Sequence, residues 1–420
     1  MRRGIGAAQW ASEMVALSDR VTALHLSPIR RVASLLAEAN KKKEIISFGG
    51  GAPSLPPAQE VSDEIAKRIS QNPQGSCAYT GTRGFLELRK LIAEDWAKRE
   101  GAVYEPENEV MMTEGATEGI FSVFMSIFNK NDELIVADPT YLGYLESAQL
   151  AGARLTKLPA NVEDGYQPSL ELLKSLVTKR TKAIALLSPD NPTGRIVRRD
   201  FVKGLLDLAT DSEFWVIYDS TYSDIVYGEN IQPKITSYPA AHERVISIGS
   251  FSKEASIPGL RLGYAIGPRE VIDGMEKVKQ YTSLAPNTLS QYAMIRFLSD
   301  GVKGRYLREF VLPTYTRRRD FMEKSIKEHL PDAKTARPDG AFYFFVDMRR
   351  YLAAMNRDEE EFCNRLLYRK AVVAIPGSFF GAKGAGHLRL TFVSEPEERI
   401  ELGMKRMGEY VFSFAFTAEG

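Results

Sequence analysis

A chain of 420 residues, 44% of them hydrophobic, can bury a sizeable core and divide into two domains. Its 55 basic and 54 acidic residues nearly cancel, with no basic block on which a nucleic acid or an anionic membrane surface could settle, so neither is expected as a partner. Cys77 and Cys363 stand too far apart for a disulfide framework, and His25, His242, His329 and His387 are scattered, so a reducing, cytoplasmic setting without a metal centre is expected.

Residues 1 to about 45 read as helical, with Pro28-Ile29-Arg30-Arg31 opening an amphipathic stretch through Leu35, Leu36 and Ala39. Gln9, Ser12, Glu13 and Asp19 break the stretch after Arg2 and Arg3 before a signal-peptide core can form. No apolar run is long enough to cross a bilayer. Ile45 to Pro53 reads as a short strand entering the cluster Gly49-Gly50-Gly51, where bare backbone lets a ligand approach; taken alone, a plain turn is the simpler account.

From Glu60 to about residue 300, helical periods alternate with apolar runs at 109–113, 133–137, 183–188, 214–218, 245–249 and 263–266, the pattern of a largely parallel sheet. Ligands of such sheets collect at the carboxyl ends of the strands. After the first run, Gly115-Ala116-Thr117 opens a helix whose free N–H groups suit phosphate, although many strand–helix turns contain glycine. After the second comes Tyr141, able to lie on a planar ring or to pack as a core tyrosine. The third ends in Pro189-Asp190-Asn191-Pro192-Thr193-Gly194, a rigid turn that fixes the Asn191 amide. The fourth ends in Asp219, with Tyr222 three residues on. A carboxylate closing a buried strand needs a partner, and both a heterocyclic N–H and a helix cap meet that need.

The fifth run leads into Ser250-Phe251-Ser252-Lys253 and then Pro258-Gly259-Leu260-Arg261. A desolvated lysine favours the neutral amine, which attacks carbonyls to form a Schiff base. Ser250, Ser252 and Arg261 suit a phosphate oxyanion, with the Pro-Gly bend turning Arg261 back toward Lys253. Most of the 55 basic residues are solvated surface charges, so this segment alone decides nothing. Beyond residue 300 come a helix around Tyr306 to His329, an aromatic strand at Gly340 to Val346, another apolar run at Ala371 to Gly377, and His387 to Phe392. In the last, Arg389 alternates with Leu388, Leu390 and Phe392, as in a strand whose charged face meets water.

Together these pieces form the set that pyridoxal phosphate needs: an amine, phosphate ligands, a stacking aromatic, a carboxylate for the ring nitrogen, and polar groups for the ring hydroxyl. In order and spacing, Phe48 to Pro53, Tyr79 to Gly84, Asn191 to Gly194, Asp219 to Tyr222 and Ser250 to Arg261, followed by Arg389, resemble the class I and II aminotransferases of pyridoxal-phosphate fold type I. The resemblance spans nearly the whole chain. It implies an α/β fold with a mostly parallel central sheet, helices on both faces, and a smaller α+β domain. The large domain would run from 56 to 300, and residues 1–55 would join the small domain at 301–420.

It also implies that Lys253 carries pyridoxal 5′-phosphate and serves as acid and base, with Asp219 and Tyr222 completing the catalytic set. Phosphate would rest on Ser250, Ser252, Arg261, Gly115, Ala116 and Thr117, with Tyr79 reaching the phosphate of a neighbouring subunit in a homodimer. Tyr141 would stack on the ring, Asn191 and Tyr222 would bond its hydroxyl, and Gly51, Asn191 and Arg389 would bind the substrate α-carboxylate. The implied reaction is ping-pong transfer from an L-amino acid, aspartate or aromatic, to a 2-oxo acid such as 2-oxoglutarate. A carbon–sulfur lyase or an aminocyclopropane-carboxylate-synthase-like enzyme shares these motifs, and a pyridoxal-phosphate-sensing regulator would need a DNA-binding domain ahead of residue 45. Ser220 departs from the Glu common at that position in relatives. A dicarboxylic substrate needs a second cation, for which Arg30, Arg31 and Arg296 are candidates.

Overall fold

A computed structural model describes residues 17–24, 26 and 44–415. The helix expected to open at Pro28, together with His25, Arg30 and Arg31, lies outside the described residues.

Strand β1 (Ile46–Ser47) is followed by the strands of a seven-stranded sheet: β2 (Val110–Thr113), β3 (Glu133–Asp138), β4 (Arg154–Pro159), β5 (Thr181–Leu187), β6 (Trp215–Asp219), β7 (Val245–Ser250) and β8 (Gly263–Ile266). Their order across the sheet is β2-β8-β7-β6-β5-β3-β4. Only β8 runs against its neighbours, antiparallel to both β2 and β7. Every residue of β2, β7 and β8 is buried, so both faces of the sheet are covered and the strands are apolar without alternation. All six apolar runs became strands. The one strand of this sheet not expected from the sequence, β4, lies at the sheet edge, where Arg154 and Lys157 interrupt its apolar residues and most of its positions are only half-buried.

The helices between strands bury one stripe each. In Arg199–Asp211, which carries the chain from β5 to β6, the buried residues are Phe201, Val202, Leu205, Leu206 and Ala209, the spacing of a single helical face. Because β2, β3, β5, β6 and β7 run in one direction, the residues that follow them emerge at a common edge.

The remaining strands, β9 (Lys334–Thr335), β10 (Tyr343–Asp347), β11 (Val372–Val373), β12 (Ile375–Pro376) and β13 (His387–Thr391), build two smaller sheets. One is antiparallel in the order β12-β13-β10-β9, and the other pairs β1 with β11 in parallel. The N–H of Ile46 donates to Ala371 O at 2.9 Å, and that of Phe48 to Val373 O at 2.9 Å. A segment near the front of the chain is thereby fixed to one more than 300 residues later, and the Gly49-Gly50-Gly51 loop leaves from that junction. Helices Leu312–His329 and Glu397–Ala415 pack on each other beside it.

Gly263 pairs with Thr113 on one side and Ser250 on the other, at the edge where ligands are expected. A Cβ there would lie 2.6 Å from Gly249 O, 2.9 Å from Gly115 C and 3.0 Å from Ala116 N, all backbone atoms that cannot swing aside. Gly263→Ala is expected to cost about 1–3 kcal/mol of stability through overpacking, measured by denaturant unfolding. An unchanged midpoint would show that the strand–helix turn can give way.

Candidate active site

A cavity of about 640 Å³ opens at the carboxyl edge of the large sheet. Its lining includes Ala116, Thr117, Ser250, Ser252 and Arg261, together with Tyr141, Asp219, Tyr222 and Lys253, and with Gly51, Asn191 and Arg389, the last of these contributed by the small sheet. Gly115 sits beneath Arg261, at φ 76°, where a Cβ would come within 2.5 Å of the Arg261 Nη2 atom. Tyr79 is apart from this group. It is 84% exposed and does not line the cavity, and its segment is tethered where the Thr288 hydroxyl donates to Ala78 O at 2.6 Å.

Lys253 belongs to a single-turn helix, Phe251–Glu254, set on the end of β7, with the Ser250 hydroxyl oxygen accepting from the Ser252 N–H at 3.3 Å. Its Nζ donates to Gly51 O at 2.5 Å. Burial and the neighbouring Arg389 and Arg261 charges push the amine down to about 8, against a smaller opposing pull from Asp219. A 3-10 turn over Pro258–Leu260 then places Arg261 in the left-handed region at φ 49°. From there the guanidinium donates to Pro258 O at 3.0 Å, to Glu114 O at 3.2 Å and to the Ser252 hydroxyl at 3.5 Å. The side chain does turn back over the lysine helix.

Asp219 closes β6 and is 3% exposed. One oxygen accepts from the Tyr144 hydroxyl at 2.9 Å and the other from the Thr221 N–H at 3.0 Å. Burial raises its carboxyl, and among the described residues no cation pairs with it. It does not cap a helix, so the cap reading gives way to that of a carboxylate facing a cavity.

Arg389 is 2% exposed, on a strand buried along its full length between β10 and β12. The alternating pattern therefore marks a covered inner strand and not one with a face in water. Its guanidinium donates to Gly49 O at 2.8 Å and to Asn191 Oδ1 at 3.2 Å, and lies 4.4 Å from the Tyr343 ring centre and 5.0 Å from that of Phe380. Among the described residues no carboxylate pairs with it, and its Nε lacks a hydrogen-bond partner. Asn191 is held by its own turn, in which Gly194 N–H donates to Asp190 O at 3.0 Å.

Two tyrosines missed in the sequence belong to this group. The Tyr343 hydroxyl is 2.8 Å from that of Tyr222, and a Cβ on Gly51 would be 2.6 Å from the Tyr343 oxygen, so the glycine is what admits the phenol. Tyr343 was hidden in the run from Ala341 to Val346, where uniform hydrophobicity conceals which side faces a cavity. Tyr144 lies in helix Gly143–Leu150, just beyond Tyr141, whose ring it meets edge-on at 5.5 Å, and nothing in its local pattern marks its hydroxyl as a partner of Asp219. Ser220 donates its hydroxyl to Ile248 O at 3.0 Å, a structural tie between β6 and β7. Arg296 lies outside the cavity and is ion-paired with Asp300.

The depressed Lys253 amine has a direct consequence. Its protonated form is disfavoured on folding, so burial costs stability fully below about pH 8 and progressively less as pH rises toward the ordinary 10.5. Labelling of Lys253 in the ligand-free protein by an amine-directed reagent, followed by mass spectrometry, should show a midpoint near pH 8. A midpoint at 10 or above, by roughly the solvated reference, would show the amine to be hydrated.

Residues 43–406 match the family model for Aminotransferase class I and II. The aspartate aminotransferase of Thermotoga maritima is 32% identical over 390 residues, covering 92% of this chain and 97% of that protein. Aromatic-amino-acid aminotransferase 2 of Thermococcus litoralis is 29% identical over 394 residues, covering 94% and 97%. Among solved structures, the aspartate aminotransferase from Thermus thermophilus with maleate aligns at a TM-score of 0.87 with 28% identity, covering 94% of this chain and all of that one. The family match and these relatives, over a mostly parallel seven-stranded sheet of the same fold, place the chain in the class I and II aminotransferases.

Proposed function

We propose that the protein is a pyridoxal-phosphate-dependent transaminase. It moves the amino group of an L-amino acid, aspartate or an aromatic amino acid being favoured, to a 2-oxo acid such as 2-oxoglutarate in ping-pong order. The observation that carries this reading is that Lys253, Asp219 and Arg389 open on one cavity: a dry amine, a buried carboxylate unpaired with a cation, and a buried guanidinium unpaired with a carboxylate among the described residues. The names of the aspartate and aromatic aminotransferases that resemble the chain support the donor class.

The donor set fits pyridoxal phosphate. Arg261, Ser250, Ser252 and the turn Gly115-Ala116-Thr117 would hold its phosphate at the start of helix Ala116–Ile127. Tyr141 would cover the ring, Asn191 and Tyr222 would bond its hydroxyl, and Asp219 would face its nitrogen. Bound there, the cofactor supplies an electron sink for negative charge at the substrate Cα. Asp219, made costly by burial, would recover that cost against a ring N–H⁺ and so would favour the protonated nitrogen. Lys253, about half in the neutral form near pH 8, would take the proton from the substrate Cα and deliver it to the carbon that carried the cofactor's aldehyde, the shift that amino transfer requires. Arg389, with Asn191 beside it, holds the α-carboxylate through parallel hydrogen bonds, while Tyr343 and Phe380 keep the guanidinium plane fixed.

The protein acts as a homodimer in this reading. The exposure of Tyr79, outside its own cavity, supports its reaching the phosphate bound by the second subunit. Two free cysteines suit a cytoplasmic setting, and no helix of the described residues is long and apolar enough to cross a membrane. Residues 56–300 form the large domain, and the β1–β11 pairing supports assigning residues 1–55 with 301–420 to the small one.

The deciding experiment is borohydride reduction of the cofactor-loaded protein followed by peptide mapping. The cofactor is expected on Lys253, and its recovery on any other lysine would overturn the assignment. Arg389→Lys tests the carboxylate clamp. Each lost charge-assisted hydrogen bond is worth roughly 1.5–3 kcal/mol, so kcat/KM should fall by at least about one to two powers of ten for every amino acid tried, with cofactor content unchanged. A loss confined to dicarboxylic donors would assign Arg389 to the side chain instead.

A further inference from the structure

Directly after Lys253 in the chain is a charged cluster that takes no part in lining the cavity. Lys303 Nζ lies 2.7 Å from Asp95 Oδ2, 2.9 Å from Glu254 Oε2 and 3.2 Å from Asp224 Oδ2. Arg99 reaches the same Asp224 oxygen at 2.5 Å, the Ser223 hydroxyl at 2.6 Å and the Tyr264 hydroxyl at 3.3 Å. Glu254 is 4% exposed and Lys303 9%. One turn beyond Lys303, the Tyr306 hydroxyl meets the Ser256 hydroxyl at 2.8 Å and donates to Pro56 O at 2.7 Å. A single stretch, 303–306, therefore grips the segment that carries Lys253 and the loop that leads from Gly51, the two partners of the Nζ–carbonyl hydrogen bond.

The cluster has two cations and three carboxyl groups. Burial and the Asp224 charge, opposed by Lys303 and Arg99, push Glu254 well above the usual carboxylate range, while those same two cations outweigh burial at Asp224 and hold it well below that range. Of that pair Glu254 is the one that favours its proton, and Asp224 is the one that faces Arg99 and Lys303 as a carboxylate.

We propose that Glu254 and Lys303 are positioning residues, which with Asp224 fix the lysine helix Phe251–Glu254 and the Tyr222–Asp224 turn so that the Lys253 amine stays aimed into the cavity. This rests on the role given to Lys253 above. Glu254 acts as an acid, not as an anion. Its neutral isostere therefore preserves the arrangement, whereas truncation leaves Asp224 and Lys303 without their third member and frees the helix to shift.

The test compares cofactor-loaded wild type with Glu254→Ala and Glu254→Gln. Glu254→Ala should lower kcat by at least about tenfold, with cofactor content per chain and donor KM within about twofold; Glu254→Gln should restore kcat to within about threefold. A second measurement tracks melting temperature from about pH 5 to about pH 9, on cofactor-free protein as well. Folding raises the Glu254 pKa well above the ordinary 4.5, so the wild type keeps a proton that the unfolded chain has lost, and its stability falls as pH rises from the unfolded value toward the folded one and then levels. Glu254→Gln lacks this loss, so its melting temperature relative to wild type should climb between those limits. An unchanged kcat in Glu254→Ala, a Glu254→Gln variant as impaired as the alanine one, or a flat melting difference would each overturn the proposal. If the alanine variant fails to fold, the glutamine series decides. Borohydride mapping to another lysine would refute the role of Lys253 itself, whatever the Glu254 variants do.

Discussion

Three ionisable groups held out of water beside one cavity set the terms for the rest of this protein. Lys253, Asp219 and Arg389 are each pushed by burial toward the neutral form. Desolvating an ion costs several kcal/mol even after relaxation, and none of the three recovers this through a direct ion pair among the described residues. Hydrogen bonds soften the cost, from Tyr144 and Thr221 to Asp219, from Lys253 to Gly51 O, and from Arg389 to Gly49 O and Asn191. The arrangement persists because strands fix the groups from behind. Asp219 ends one buried strand, Lys253 follows another, and Arg389 lies within a third.

Much of this was legible in the sequence because a buried strand interrupted or closed by a polar residue is a contradiction visible in one dimension. The run from Phe214 to Tyr218 ending in Asp219, and that from Val245 to Gly249 ending before Lys253, advertise a charge where only a special reason would keep one. Arg389 was recognised by its place in a family pattern, since its alternation with Leu388 and Leu390 is also the signature of a solvated strand face. Its covering comes from β10, β12 and the Tyr343 and Phe380 rings, contributed from other parts of the chain. Tyr144 and Tyr343 escaped for the complementary reason. A tyrosine among apolar residues contradicts nothing, and its hydroxyl partner is set by tertiary contact. Strand β4 escaped because an edge strand with charged residues lacks the continuous apolar run that central parallel strands require.

Glycines mark where the separate parts of the site come into contact. Gly115 makes room for Arg261, Gly51 for the Tyr343 hydroxyl, and Gly263 for the turn between β2 and its helix. Each contact joins segments distant in sequence: the first brings a guanidinium to a helix start, and the second brings the front of the chain to β10. Among the three, only Gly115 needs a positive φ. The others serve close approach, which no local pattern reveals and which explains why Gly51 read most simply as part of a turn.

The charges also explain why such a site belongs at the meeting of two sheets. In the function proposed above, a carboxylate-bearing substrate with an anionic cofactor would bring negative charge to Arg389 and Arg261, and a protonated ring would bring positive charge to Asp219. The repulsion that Arg389 and Arg261 exert on Lys253 would weaken as each acquires an anion. Binding at either end therefore alters the amine at the centre. Coulomb attraction at these separations is strong only where water is excluded, and the cavity walls come from the large sheet on one side and β10 and β13 on the other. A change in the separation of those walls changes the dielectric around all three groups at once. The tie from Lys303 and Tyr306 bears on this: it joins the segment that carries Lys253 to the loop that leads from Gly51, so that in the proposed reading the place of the amine and that of the carbonyl it meets depend on the same contacts.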